Sequence, residues 1–331
     1  MRTRPLGDTG LVVTRLGLGM AALGRPGYVN LGHADDLGRE YDRDAMRRHA
    51  WTVLDAAWRL GVRYFDAARS YGDGERFLGE WLRARGVRPG QVTTSSKWGY
   101  VYTAGWQVRA EKHEVKEHSL SVLRRQADES RELLGDHLRL YQIHSATPES
   151  GVLDNAEVLA ELARLRERGW KIGLSLSGPS QADTLRKAMT VRVDGVRLFD
   201  AVQATWNLLE RSCGTALEEA HAAGMGVVVK EALANGRLTG RNDEPDFAAK
   251  KRLLSEESAR RGVGIDAVAL AAVLARPWAD AVLSGAATAA QVEENAKALA
   301  VSWDEETEAR LAGLAEGAGD YWKRRAGLEW N

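Results

Sequence analysis

The sequence has a single cysteine, Cys213, in 331 residues. That excludes an internal disulfide and a cysteine-rich zinc site, and it makes a reducing cytoplasm the expected home. Net charge is absent too: 46 lysines and arginines balance 46 aspartates and glutamates. Nothing global draws the chain to nucleic acid or to an anionic membrane. No apolar run approaches the ~20 residues of a membrane span. Met1-Arg2-Thr3-Arg4-Pro5 lacks the apolar core of a signal peptide. Several catalytic fingerprints are also missing. Gly17-Leu18-Gly19 is followed only by Gly24, so the G-x-G-x-x-G spacing of a Rossmann domain fails. His113 and His118 come close to H-E-x-x-H with one residue too many. On a helix they would point about 140° apart, so they read as surface histidines and no metal is expected. There is no G-x-S-x-G and no Walker loop, so serine hydrolysis and phosphate-loop chemistry lack support.

Short β-type runs alternate with amphipathic helical ones nearly to the end. Strands are expected at 15–19, 63–66, 92–96, 138–144, 171–175, 201–203, 227–230 and 281–284, with helical patterns such as 45–60, 155–168, 216–223 and 291–300 between them. Eight β/α pairs without a composition break argue for one closed (β/α)₈ TIM barrel over residues 1–331 rather than two domains. The opening Leu6-Gly7-Asp8-Thr9-Gly10-Leu11 reads as an N-terminal β-hairpin plugging the closed end. Residues 99–117 read as a loop over the open mouth, and 242–259 and 304–314 as extra helices. The basic run Lys323-Arg324-Arg325 reads as a solvated face.

Four chemical groups leave successive strands at one end. Asp66 closes one apolar run and Tyr71 follows it; Lys97 ends the next run, and His144 the next. A parallel barrel gathers such residues at its mouth. A phenol alone holds its proton tightly, with an ordinary pKa of ~10. Lys97, held by Asp66, is expected to favour the phenolate, each pKa unit being worth about 1.4 kcal/mol. His144 is placed to hydrogen-bond a substrate oxygen. The set suits protonating a carbonyl oxygen as a hydride reaches its carbon, or the reverse.

These residues, in this order, resemble the aldo-keto reductases along nearly the whole chain. The resemblance is carried by the opening Leu6-Gly7-x-Thr9-Gly10, by Asp66 through Tyr71-Gly72 to Glu75 and Leu78-Gly79, by Lys97 and His144, by Ile172-Gly173-Leu174-Ser175, by Gln203 with Asn207, by Asn235–Gly240, and by Gly285 with Gln291–Asn295. It implies a catalytic tetrad of Asp66, Tyr71, Lys97 and His144, with Tyr71 as general acid–base. It implies NADP(H) as cofactor, NAD(H) being an alternative. Ser175 and Gln203 would hold the nicotinamide carboxamide. Lys230, Leu233 and Gly236 after strand seven, and Gly285, Thr288, Gln291 and Asn295 after strand eight, would complete the cofactor site. The substrate would be a small carbonyl or its alcohol. Alternatives are an NAD-dependent sugar or aldose dehydrogenase, and a catalytically weak, cofactor-binding regulatory protein.

Three departures from the family pattern stand out. Leu176 replaces the asparagine that follows the fifth-strand serine. Lys230, followed by Glu231, stands where an aromatic ring usually stacks. Gly285-Ala286-Ala287-Thr288 carries no basic residue for a 2′-phosphate, so weak discrimination against NAD is expected. Tryptophan is abundant, at 11. Trp98, Trp106 and Trp206, with Tyr28, are expected to build an apolar, aromatic substrate pocket suited to a ring-bearing carbonyl.

Overall fold

The computed structural model describes residues 1–331. Eight parallel strands form a closed barrel: Leu16–Gly19, Tyr64–Asp66, Thr93–Trp98, Leu138–Ala146, Lys171–Leu176, Ala201–Thr205, Gly226–Lys230 and Ala281–Ser284. The eighth returns to the first through Val282 opposite Leu16. All eight expected strands are present, most with ends shifted by a residue or two. Strands covered on both faces need apolar side chains on both, and Gly226-Val227-Val228-Val229 supplies them.

A helix follows each strand. The first, Arg43–Arg59, starts where the Asp42 carboxylate accepts from the Asp44 and Ala45 amides, and it buries Met46, Ala50, Val53, Leu54 and Ala57. Ser119, Asn155 and Thr288 cap later helices in the same way. Helices outside the repeat run over Ala248–Arg261, Glu305–Leu311 and Ala318–Ala326. No helix is long and apolar enough to cross a membrane.

The hairpin Thr3–Pro5 with Val12–Thr14 seals the bottom. Leu6, Leu11 and Val13 pack on Tyr64, Leu140, Ala201, Val228, Ala281 and Leu283 inside the barrel. Gly7 turns at φ +48°, and a Cβ there would stand 2.4 Å from the Gly226 nitrogen. Gly7→Ala therefore combines left-handed strain with a backbone clash, and it is expected to cost about 2 kcal/mol or more. Chemical denaturation measures this; an unchanged midpoint would mean that the plug adapts freely.

Two expectations change at the open end. Residues 99–117 are not simply a loop, because Tyr100–Tyr102 pairs antiparallel with Glu114–Lys116. The histidines beside this ribbon are neither helical nor surface groups. His113 is buried and stacks on Trp330 at 3.9 Å between ring centres. The His118 ring meets the His144 carbonyl at 2.9 Å through Nε2.

Candidate active site

The barrel brings Asp66, Tyr71, Lys97 and His144 together. Lys97 and Asp66 are 1% and 2% exposed, so this ion pair is fully desolvated. The Lys97 ammonium donates to Asp66 Oδ2, to the Ala67 carbonyl at 3.0 Å and to the Tyr71 hydroxyl at 3.4 Å. Asp66 Oδ1 accepts from Ser95 at 2.7 Å, Gln203 at 3.0 Å and Gln142 at 3.3 Å. A buried carboxylate needs such company. The Tyr71 ring meets His144 edge-on, 5.6 Å between centres.

The electrostatics differ from expectation in one respect. The Tyr71 phenol is pushed well above its ordinary range, by burial first and by the Asp66 charge second. In the resting site the Lys97 charge is balanced by Asp66, so its contact with the hydroxyl does not offset the burial of the phenol. Tyr71 therefore rests as a protonated donor. His144 is held well below its ordinary value by burial and then by the cations Lys97, Lys230 and Arg25. Its imidazole is neutral. Ser70 Oγ meets its Nδ1 at 3.4 Å, and with that hydroxyl donating, Nε2 carries the proton.

A cavity of about 300 Å³ opens from Tyr71 and His144 across the mouth to Ser284, Gly285, Gln291 and Asn295. Gln203, Lys230, Leu233 and Gly236 also line it. Two expected cofactor residues do not. Ser175 is fully buried, and its hydroxyl accepts from the Ser145 amide at 2.8 Å. It props a bulge where strand four slips register between Ile143 and Ala146 and Ser145 takes φ +53°. Ser145 and Ser177 face the cavity instead. Thr288 caps the following helix by accepting from the Gln291 amide.

The aromatic wall is a correction. Trp98 is fully buried in the barrel's outer core, edge-on to His118. Trp106 donates to the Tyr41 carbonyl at 2.6 Å beneath the Arg43 guanidinium. Trp206 packs edge-on against Trp278 and under Arg276. All three are packing residues, and of the four only Tyr28 lines the cavity. Its backbone pairs with Asn331 in both directions at 3.1 Å.

The wall is charged where the sequence suggested apolar rings. Arg25, Glu114, Glu231 and Arg325 line it, with Tyr100 beside His144 at 4.8 Å between ring centres. The expected solvated face at 323–325 is thus corrected at Arg325, which grips Glu231 at 2.6 Å. Helical spacing held a signal for this: Tyr321, Trp322 and Arg325 lie three and four residues apart on one face, and Tyr321 and Trp322 are buried. Arg25 sits in an irregular loop and left no comparable signal.

At the far end, Arg241 forks onto Asp36, with Nη1–Oδ2 at 2.7 Å, and Asp266 also lines the cavity. Arg237 is bound to Glu316 at 2.6 Å. The side-chain oxygens of Asn235 and Asn295, both lining residues, are buried without partners.

A closed eight-stranded barrel with a lysine–aspartate–tyrosine–histidine cluster at its mouth points to a class, the barrel oxidoreductases. The family model for "Aldo/keto reductase family" matches residues 15–316, and the chain belongs to that family. Among similar proteins is L-galactose dehydrogenase of Arabidopsis thaliana, 27% identical, covering 95% of this chain and 94% of that one. Another is the NADH-specific methylglyoxal reductase of Escherichia coli, 27% identical over 96% of this chain and 99% of that one. A Bacillus halodurans aldo-keto reductase solved in its holo form shares the fold, with a TM-score of 0.73 over 96% of this chain and 97% of that one, at 22% identity.

Proposed function

We propose that this oxidoreductase reduces a small carbonyl compound with Tyr71 as the proton donor, and that it works with NAD(H) in preference to NADP(H). The observation that carries the reading is the contact of Tyr71 with the desolvated Lys97–Asp66 pair. Bound in the cavity, a reduced nicotinamide supplies the hydride. The chain's own groups handle the rest. Tyr71 delivers its proton to the carbonyl oxygen, and the neutral His144 orients that oxygen with an N–H. Lys97 stabilises the phenolate that remains, while Asp66 and the amides on it fix the ammonium in place. A phenol that rests protonated has the proton this step needs.

The cavity fits a dinucleotide on two grounds. The unpartnered oxygens of Asn235 and Asn295 are buried acceptors in need of a donor. Gln203, Gly236, Gly285, Gln291 and Asn295 would hold it along the mouth. The cofactor preference rests on charge. Asp36 and Asp266 face this end, and its one arginine, Arg241, is already neutralised. Carboxylates accept from ribose hydroxyls and repel a 2′-phosphate.

Dissociation constants for NADH and NADPH, read by fluorescence, are expected to favour NADH. Asp36→Asn frees Arg241 and should narrow the gap by about tenfold, the worth of a charge-assisted contact. A tighter NADPH complex in the wild type would overturn the preference. A second reading, NAD-dependent oxidation of a sugar, is favoured by the polar wall of Ser145, Ser177 and Tyr100. Comparing aldoses with NAD against aldehydes with NADH separates the two.

A further inference from the structure

One charge in the cavity wall has no partner of its own. Apart from Asp66, which Lys97 holds, this part of the wall has three cations, Arg25, Lys230 and Arg325, against two carboxylates, Glu114 and Glu231. Arg325 occupies Glu231 with its fork, at 2.6 Å through Nη2 and at 3.2 and 3.3 Å through Nε. Arg25 occupies Glu114 at 2.8 Å and also donates to the Ser70 carbonyl at 2.9 Å. Lys230 is left with a neutral acceptor, the Thr205 hydroxyl at 2.8 Å. Its nearest carboxylate oxygen is Glu231 Oε1 at 3.8 Å, which Arg325 already holds. An ammonium has three N–H donors, so two are unspent. The side chain is 17% exposed and borders the same cavity as Tyr71 and His144.

We propose that Lys230 is a specificity residue that binds a carboxylate on the substrate, so that the enzyme prefers carbonyl compounds carrying an acid group to neutral ones of similar shape. This rests on the oxidoreductase reading above. A cation withdrawn from water gains most from a full negative charge, because attraction strengthens as water is excluded. A hydroxyl on a neutral substrate offers only a dipole.

The surroundings sharpen the expectation. Lys97 and Arg325 repel Lys230, Glu231 and Asp66 attract it, His144 is neutral, and the Trp322 ring lies 5.8 Å away. Burial dominates, and with the neighbouring cations it holds the ammonium down to about 8. The charge is therefore present below that pH and fades above it, and the preference should fade with it.

The test is a ratio of kcat/KM values for matched pairs: glyoxylate against acetaldehyde, and adipic semialdehyde against hexanal. The two pairs place the carboxylate near the carbonyl and far from it. Wild type is expected to favour the acid in at least one pair by about ten- to a hundredfold, the range for a hydrogen bond to a charged group. Lys230→Met removes the charge at similar length, and the ratio should collapse toward one. Lys230→Arg should restore part of it. In wild type the ratio should fall as pH rises past about 8. Using a ratio cancels any shared effect on folding or on cofactor binding. A wild-type ratio near one in both pairs, or a ratio that survives Lys230→Met, overturns the proposal while the oxidoreductase reading stands. Absence of turnover with every carbonyl, in protein that still binds NADH, overturns both.

Discussion

Tyr71→Phe is expected to lower kcat by a factor of about 10²–10⁴, the usual worth of a general acid. Only the hydroxyl is lost. The ring keeps its edge-on contact with His144 and its place 5.3 Å from the Arg25 guanidinium. Apart from Asp36, the groups assigned to the cofactor lie on strands six to eight and the segments after them, so the dissociation constant for NADH should stay within about twofold. Steady-state turnover and fluorescence titration on one preparation separate the two effects. Wild-type turnover in this variant would remove Tyr71 from the chemistry. A joint loss of turnover and NADH binding would show that the hydroxyl supports the cofactor site and is not a proton donor alone.

The second large effect concerns the pair beneath it. Lys97→Met leaves Asp66 as an ionised carboxylate that is 2% exposed and has only neutral donors, Ser95, Gln203 and Gln142. Removing one partner of a buried ion pair costs about 3–5 kcal/mol, because the survivor's desolvation goes uncompensated. Adding Asp66→Asn in the same chain removes that charge at nearly constant shape, and most of the stability should return. Turnover should be lost in the single and the double variant alike, since neither can stabilise the Tyr71 phenolate. Equilibrium denaturation of wild type, single and double variants gives the comparison. A single variant as stable as wild type, or a double variant as unstable as the single one, would contradict this account of the pair.

The barrel was legible because each strand is a short apolar run with a turn at its end, and those runs alternate with helical periodicity. The Asp66–Tyr71–Lys97–His144 cluster was legible for a related reason: residues at the carboxyl ends of parallel strands meet at one mouth. Side-chain direction was harder. Trp98 follows Lys97 in the same strand, so with Lys97 turned inward Trp98 must face the helices. That inference was available from alternation alone. The role of Ser175 was not, because it depends on the bulge at Ser145, which shifts strand four locally. The phenol's proton affinity also needed three dimensions. The Asp66–Lys97 pair was read from the sequence, but the burial that raises the phenol most was not. The charged wall was hidden for another reason. Glu231 and Arg325 lie 94 residues apart, and no local pattern links them.

The central claim is that this barrel transfers a hydride between a nicotinamide and a carbonyl carbon. The most direct measurement supplies NADH carrying deuterium at the transferable position, with a panel of aldehydes, ketones and aldoses, and analyses the products by mass spectrometry and NMR. The account predicts consumption of NADH with at least one carbonyl and deuterium on the carbinol carbon of its product, with both signals lost in Tyr71→Phe. Tight NADH binding with no oxidation and no label in any product would contradict it, and would mark the chain as a cofactor-binding protein that uses this fold without its chemistry.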